Sequence, residues 1–150
     1  MKKEMISLLV LLGTVALFYG CNPDEKMESQ TSANTLIINL TSDATVNAHG
    51  SLMGIHLAEK ALENRLDVIV FLNVNGVKLL QPGADTLAFH GEKILQALDK
   101  VVEKGGDVRI CPHCAEALGI DKTQIPANFK MQDEKIMMEK LRSNPTVFTY

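Results

Sequence analysis

Short, continuously apolar runs alternate with amphipathic segments along this chain, and this alternation restricts the possible folds more than any other feature. The apolar runs fall at residues 35–42, 68–72 and 107–110. Strands that are apolar on both sides are typical of a parallel sheet that helices cover on both faces. The pattern therefore predicts one α/β domain of three layers, with a mainly parallel sheet of about five strands.

Three segments between or after these runs have the helical period. Apolar residues recur at spacings of three and four in residues 47–65 and 92–104, and a third helix is expected within 131–145, ending before Pro145. The remaining segments are assigned to a strand extension at 77–80, a loop at 81–91 and a last strand at 146–150. We expect the apolar residues of the third helical segment to be core residues, and these are Met131, Met137, Met138 and Leu141.

The first twenty residues have the pattern of an export signal. A basic start is followed by an apolar stretch at residues 5–19 and then by Gly20 and Cys21. This stretch is shorter than the roughly 20 apolar residues of a membrane-spanning helix. The cysteine that follows a small residue resembles the cleavage site of bacterial lipoproteins, in which Cys21 would become the acylated first residue. Phe18 and Tyr19 depart from that pattern, so an ordinary secreted protein and an uncleaved anchor remain alternatives.

This reading divides the chain into a lipoprotein signal peptide at residues 1–20, a flexible tether at 21–35 and a folded domain at 36–150. The tether is expected because residues 22–35 contain almost no apolar side chains. The resemblance implies a protein of the cell envelope, anchored to a membrane by lipid and either facing the periplasm or lying on the outer membrane.

The charge of the chain argues against a nucleic-acid partner. Its 15 basic and 18 acidic residues give a formal net charge of -3, and no run of basic residues is longer than the pair Lys2 and Lys3. Proteins that bind nucleic acid concentrate basic residues on one face or stripe. We therefore predict no nucleic-acid binding.

Two cysteines lie three positions apart in the segment "RICPHCAEALGI", which begins at Arg109. In an exported protein such a pair forms a reversible disulfide or is kept reduced by a partner or a metal. Cys111 follows a predicted strand and precedes a short helix, where free backbone N–H groups favour a thiolate. Cys114 lies later in the turn, where those donors are already engaged, so Cys111 is predicted to be the more reactive thiol. Two buried, unreactive thiols remain the alternative.

Further candidate ligands lie in loops that follow the predicted strands. The carboxyl ends of parallel strands meet at one edge of the sheet, and ligands bind there. His49, Asn73 and His113 are the candidate ligand-binding residues. Zinc takes four ligands, and Cys111 and Cys114 with His49 would supply three of them. No metal ligand set is assigned, and no cofactor is expected beyond this zinc alternative.

The segments "LIINLTSDATVNAHG" and "NGVKLL", followed by "VRICPHCAEALGI", resemble the DsrE/DsrF-like proteins, which include sulfur-relay proteins of the Tus type. The resemblance covers residues 36–150. Its most specific parts are the order of elements, "NGVKLL" after the second strand, and a cysteine after a strand with Gly119 and Ile120 eight residues on.

This resemblance implies a DsrE-like, flavodoxin-like fold, assembly into homo-oligomers such as trimers or hexamers, and a persulfide carried on Cys111. Its partners would be a sulfur donor or acceptor protein or a small thiol. The expected function is sulfur carriage or transfer, or thiol redox with Cys114 as the resolving thiol, so the protein would be a sulfurtransferase or a thiol–disulfide exchange protein. The alternative is a non-catalytic module that binds a metal or a small ligand with the Cys-Pro-His-Cys loop.

Overall fold

Five parallel strands form the central sheet of the domain, in the order β6-β5-β2-β1-β7. The computed structural model describes residues 35–150. In chain order the elements are β1 (Thr35–Leu40), α1 (Ala48–Glu63), β2 (Asp67–Leu72), β3 (Ala88–Phe89), β4 (Glu92–Lys93), α2 (Ile94–Glu103), β5 (Asp107–Ile110), α3 (Pro112–Ala117), β6 (Lys130–Met131), α4 (Glu134–Arg142) and β7 (Thr146–Thr149). Three 3₁₀ helices span Val74–Leu80, Ala84–Thr86 and Lys122–Gln124. The predicted α/β domain with a five-stranded parallel sheet is confirmed.

The main core lies between the sheet and the helices α1 and α2. Side chains of a strand alternate between its two faces, so every second residue of β1 and β2 points toward these helices. The largest fully buried side chains are Ile38, Leu40, Ile55, Leu72, Leu79, Ile94, Leu98, Ile110, Val70, Val77, Val101 and Val108. Burial of this apolar surface is the dominant favourable contribution to folding, at roughly 25 cal/mol per Å².

Helix α4 lies beside the opposite face of the sheet, but its own apolar side chains stay partly exposed to solvent. Ile136 and Lys140 of α4 line a pocket there together with Ile69 and Arg109. No residue of α4 is buried, and Met138 and Leu141 remain 41% and 43% exposed. The prediction that the apolar residues of this segment are core residues is therefore wrong. Helical periodicity places apolar residues on one face, but it does not say whether the same chain covers that face.

Several local predictions also differ from the structure. Residues 77–80 belong to a 3₁₀ helix rather than to a strand extension, and Gly76 of this helix packs directly against the end of β1. The predicted loop at 81–91 contains a 3₁₀ turn and β3, which pairs with β4 in a small antiparallel hairpin. That hairpin includes Glu92 and Lys93, so the second predicted helix begins only at Ile94. The two-residue strand β6 was too short to show a period in the sequence.

Among residues 35–150, no helix combines the length and the apolar character needed to cross a membrane. The predicted signal peptide, Cys21 and most of the tether lie outside the described residues.

Candidate functional site

Cys111 lies at the carboxyl end of β5, where the strand passes into α3. Its backbone N–H donates to the carbonyl oxygen of Leu72, the last residue of the neighbouring strand β2 (2.9 Å). Cys111 is the N-cap residue of α3 and Pro112 occupies the first turn, where a proline costs no hydrogen bond. The ends of β2 and β5 therefore form one edge on which a site can be built, as is usual in open parallel sheets.

The two cysteines of the pair lie against each other. Cys114 Sγ is 2.6 Å from Cys111 Sγ, and the backbone N–H of Cys114 donates to Cys111 Sγ (3.3 Å). Both thiols are free and partly buried. A disulfide has an S–S bond of about 2.05 Å, so the two sulfurs lie close enough for a disulfide to form between them.

The turn after β2 faces Cys114 from the other side. The Cys114 thiol donates to Asn73 Oδ1 (3.2 Å), and the backbone N–H of Val74 points to Cys114 Sγ (3.3 Å). The same N–H also donates to Asn73 Oδ1 (2.9 Å). Asn73, Val74, Cys111 and Cys114 together are called the thiol site below.

Val74 has a backbone conformation that a β-branched residue rarely adopts. Its φ is +50°, in the left-handed region that costs L-residues other than glycine and asparagine about 1–2 kcal/mol. The side chain of Val74 is 53% exposed, so its burial does not repay this cost. The turn is instead held at both ends, because Asn73 N donates to Leu40 O and Gly76 N donates to Asn73 O (both 2.9 Å).

The electrostatics of Cys111 differ from the expectation. Burial, followed by the hydrogen bond with the Cys114 thiol, raises the pKa of Cys111 above its ordinary value, although backbone N–H groups act in the opposite direction. The helix end thus acts on Cys111 in the predicted direction, but burial and the neighbouring thiol outweigh it, so the net shift is opposite to the one expected from the helix end alone. The expectation that Cys114 lacks a free donor is wrong, since Val74 supplies one from another loop.

An ion pair connects the loop after β1 to the helix that follows the thiol site. Lys78 Nζ donates to Asp43 Oδ2 (2.7 Å), and Asp43 Oδ1 accepts from the backbone and hydroxyl of Thr45. These hydrogen bonds, that of Lys78 first, lower the pKa of Asp43 to about 2. Asp43 is thus ionised throughout the neutral range and holds the Val74–Leu80 helix to the end of β1.

Of the three predicted ligand-binding residues, only Asn73 is hydrogen-bonded to a cysteine. His113 is exposed on α3. His49 is also exposed, and its ring stacks on Phe89 of the small hairpin (4.4 Å between centroids). His49 lies in the first turn of α1, and its ring contacts the β3–β4 hairpin instead of the cysteines.

The structure does not bring His49, Cys111 and Cys114 together as zinc ligands. Within residues 35–150, the group of three potential ligands whose atoms all lie within 4.8 Å of one another is His56, Glu59 and Glu92. In this group His56 Nε2 lies 2.8 Å from Glu92 Oε2, and Lys100 Nζ forms an ion pair with the other oxygen of the same carboxylate (2.9 Å). The zinc ligand set predicted from the sequence is therefore wrong. The sequence places His49 at the same sheet edge as the cysteines, but its side chain stacks on Phe89 of β3.

Val74 and Lys78 are the residues of this region that sequence reasoning missed. Val74 contributes a backbone N–H, which no side-chain motif in the sequence indicates. Lys78 pairs with Asp43, 35 residues earlier in the chain, and no local pattern predicts this contact. The dipeptide Asn75-Gly76 marks a turn in the sequence, but the positive φ falls one residue earlier, at Val74.

The fold and the thiol site together define an α/β protein with an open parallel sheet and a thiol pair at the carboxyl ends of adjacent strands. More specifically, the chain belongs to the DsrE/DsrF-like family, whose family model matches residues 35–150. The family resemblance inferred from the sequence is thus confirmed.

Solved structures of low sequence identity share this fold. The ychN protein from E. coli is 20% identical with a TM-score of 0.56, covering 78% of this chain and 98% of its own. MTH1491 from Methanobacterium thermoautotrophicum, a protein of unknown function, is 10% identical with a TM-score of 0.59, covering 77% and 98%. BT1422 from Bacteroides thetaiotaomicron, a conserved protein of unknown function, is 15% identical with a TM-score of 0.55, covering 78% and 95%. No curated protein matches the sequence. At these identities the likeness shows the fold alone.

Proposed function

We propose that this protein carries sulfur, or exchanges thiols and disulfides, through Cys111 and Cys114. The observation that carries the proposal is the contact of the two sulfurs, 2.6 Å apart, at the carboxyl ends of β2 and β5. Catalytic and ligand-binding groups concentrate at this edge of parallel sheets. The DsrE/DsrF-like family, which includes sulfur-relay proteins, supports the same chemistry.

In the loading step, the Cys111 thiolate attacks the outer sulfur of a hydropersulfide donor, R–S–SH. The S–S bond of the donor breaks, R–S⁻ leaves, and Cys111 becomes Cys111–S–SH. The partner is then a donor or acceptor protein or a small thiol that can reach a partly buried sulfur. Because burial disfavours the Cys111 thiolate, loading should accelerate as the pH rises.

Intact-mass measurement tests this function directly. The reduced chain is treated with a hydropersulfide donor, and we expect an added mass of one sulfur in the wild type and in Cys114→Ser, but not in Cys111→Ser. The Cys21→Ser background leaves the pair as the only thiols of the chain. If no variant takes up sulfur or cycles between dithiol and disulfide, the proposed function is wrong.

The competing function is a non-catalytic module in which the Cys-Pro-His-Cys loop binds a metal or a small ligand. It predicts that the purified chain contains about one metal ion per chain, lost in Cys111→Ser and Cys114→Ser, and that neither thiol takes up sulfur. Metal analysis on the same samples therefore separates the two functions.

We also propose that the chain is exported and anchored to an envelope membrane through acylated Cys21, on the sequence pattern that ends in Gly20 and Cys21. Membrane fractionation of wild type and Cys21→Ala tests this anchor. The wild type should sediment with membranes and the variant should be released. Equal membrane association of both, with unchanged processing, contradicts lipidation.

Self-association is the last part of the proposal. Large apolar side chains stay exposed on α4 and on the edge strand β7, and they are Ile136, Met138, Leu141, Val147 and Phe148. Exposed apolar side chains that cluster on a surface mark interaction sites in soluble proteins. The strand β7 is also an edge strand with all four residues exposed, and such an edge is open to pairing with another strand. A second copy of the chain is the partner that we propose.

A further inference from the structure

We propose that Asn73 is a positioning residue that keeps Cys114 protonated, so that Cys111 retains a sulfane sulfur instead of discharging it. This inference rests on the proposed function and decides between its two forms. With Asn73 in this role, the thiol site is a sulfur carrier first and a redox pair second.

A second cysteine beside a persulfide can ordinarily displace the bound sulfane sulfur. Once Cys111 is Cys111–S–SH, a Cys114 thiolate can attack Cys111 Sγ, form the Cys111–Cys114 disulfide and expel HS⁻. In this step the S–S bond of the persulfide breaks and the Cys111–Cys114 bond forms. Cys114 Sγ is oxidised, the outer sulfur is reduced to sulfide, Cys111 Sγ keeps its oxidation state, and the proton of Cys114 passes to solvent. Only the thiolate attacks in thiol–disulfide exchange, so the protonation of Cys114 controls the rate of this loss.

The structure places an acceptor on the Cys114 proton. Asn73 Oδ1 lies 3.2 Å from Cys114 Sγ and accepts its S–H. A hydrogen bond that the neutral form makes as a donor disfavours loss of its proton. An oxygen in this position would also face an emerging thiolate with a lone pair, which adds to the effect. The Val74 N–H, 3.3 Å from Cys114 Sγ, acts in the opposite direction, but the same N–H is shared with Asn73 Oδ1 at 2.9 Å.

The backbone of Val74 determines which end of the Asn73 amide faces Cys114. The Val74 N–H is a donor and lies 2.9 Å from Asn73 Oδ1, so the oxygen rather than the NH₂ group must point into the thiol site. With the amide reversed, Nδ2 would face the N–H of Val74 and would donate to Cys114, which would stabilise a thiolate instead.

The strained turn has a function in this arrangement. Val74 has φ +50° and a largely exposed side chain, and strain of this kind persists where the surroundings over-determine the backbone, often at functional sites. The hydrogen bond from Asn73 N to Leu40 O and the close approach of Gly76 to the same carbonyl hold the turn. The strained backbone of Val74 therefore points its N–H at Asn73 Oδ1, and this hydrogen bond fixes the orientation of the Asn73 amide.

The test measures how long the persulfide survives on Cys111. Chains in the Cys21→Ser background are loaded with a hydropersulfide donor and desalted, and sulfide release and disulfide formation are followed with time and pH. We expect Asn73→Ala to discharge about two- to tenfold faster than wild type, the effect of losing one hydrogen bond. Asn73→Asp retains an oxygen acceptor and adds a negative charge, so its discharge should be slower.

The pH profile gives a readout that a merely structural role would not move. The midpoint of the discharge rate should shift to lower pH in Asn73→Ala and to higher pH in Asn73→Asp. Asn64→Ala is the matched control, because Asn64 ends α1 with a side-chain bond to Lys60 O (2.8 Å) and makes no recorded bond to the thiol site. It should leave both rate and midpoint unchanged.

A double variant separates this inference from the proposed function. Cys114→Ser removes the attacking thiol, so its persulfide should persist, and adding Asn73→Ala to it should change nothing further. If Cys114→Ser loads sulfur but both Asn73 variants discharge like Asn64→Ala, the role of Asn73 is refuted while sulfur carriage stands. If Cys114→Ser and wild type take up no sulfur at all, the sulfur-carrying form of the proposed function fails and the inference falls with it, while thiol–disulfide exchange by the pair is decided by the dithiol–disulfide measurement.

Discussion

Replacing Gly76 with alanine tests how the turn beside the thiol site is held. A Cβ at this position would lie 2.1 Å from the carbonyl oxygen of Leu40 and 2.8 Å from its carbon, whereas ordinary contact begins at 3.4 Å. The 3₁₀ helix and the end of β1 would have to separate by about 1.3 Å, the difference between 3.4 and 2.1 Å. Both sides of the contact are backbone, so no flexible side chain can yield.

The cost has two contributions. Overpacking of this kind typically costs about 1–3 kcal/mol. Leu40 O also accepts the N–H of Asn73, and separating the segments weakens this hydrogen bond at a cost of about 1 kcal/mol. We therefore expect Gly76→Ala to lower the free energy of unfolding by about 2–4 kcal/mol. For a domain of this size that corresponds to a fall in Tm of roughly 8–16 °C.

Urea unfolding followed by circular dichroism measures this change, with Gly91→Ala as the control. Gly91 has φ +84° and nothing within 4 Å of its Cβ position, so its substitution costs only backbone strain, about 1–2 kcal/mol. Gly76→Ala should also alter the alkylation rate of Cys114, because Asn73 shifts with the turn, and Gly91→Ala should not. A Gly76→Ala chain destabilised by less than about 2 kcal/mol, or destabilised with unaltered thiol reactivity, would refute the reasoning.

Three further predictions concern charge, reactivity and assembly. The pKa of Asp43 is about 2 in the fold, below its ordinary 3.8, so its bond to Lys78 stabilises the fold above pH 4 and is lost as the pH falls toward 2. Asp43→Asn should flatten the pH dependence of urea unfolding in that window, and an unchanged slope would count against the ion pair. Burial is the largest cause of the raised pKa of Cys111 and remains in Cys114→Ser, so the rate of iodoacetamide labelling in that variant should reach its midpoint at a higher pH than for cysteine in an unstructured peptide, and a midpoint at a lower pH contradicts this. Light scattering should show oligomers that Met138→Glu and Val147→Glu shift toward monomer, whereas a wild type that is monomeric at every concentration excludes self-association.

Features that depend on local order could be predicted from the sequence. Continuous apolar runs at residues 35–42 and 68–72 correspond to β1 and β2 because a strand buried on both faces has no polar side to show. The helices α1 and α2 followed from the 3.6-residue period. The sequence also places Cys111 at a strand end, because the apolar run of β5 stops directly before it.

Features that depend on contacts between distant segments needed the tertiary structure. Asn73 and Cys114 are 41 residues apart and meet only because β2 and β5 are neighbours in the sheet, and no local pattern encodes strand order. The positive φ of Val74 is likewise imposed by its surroundings, since valine itself disfavours it. Exposure of Met138 and Leu141 follows from which faces other elements cover. The raised pKa of Cys111 could not be predicted from the sequence, because the helix end is a local feature, while the burial that outweighs it comes from the packing of the whole domain.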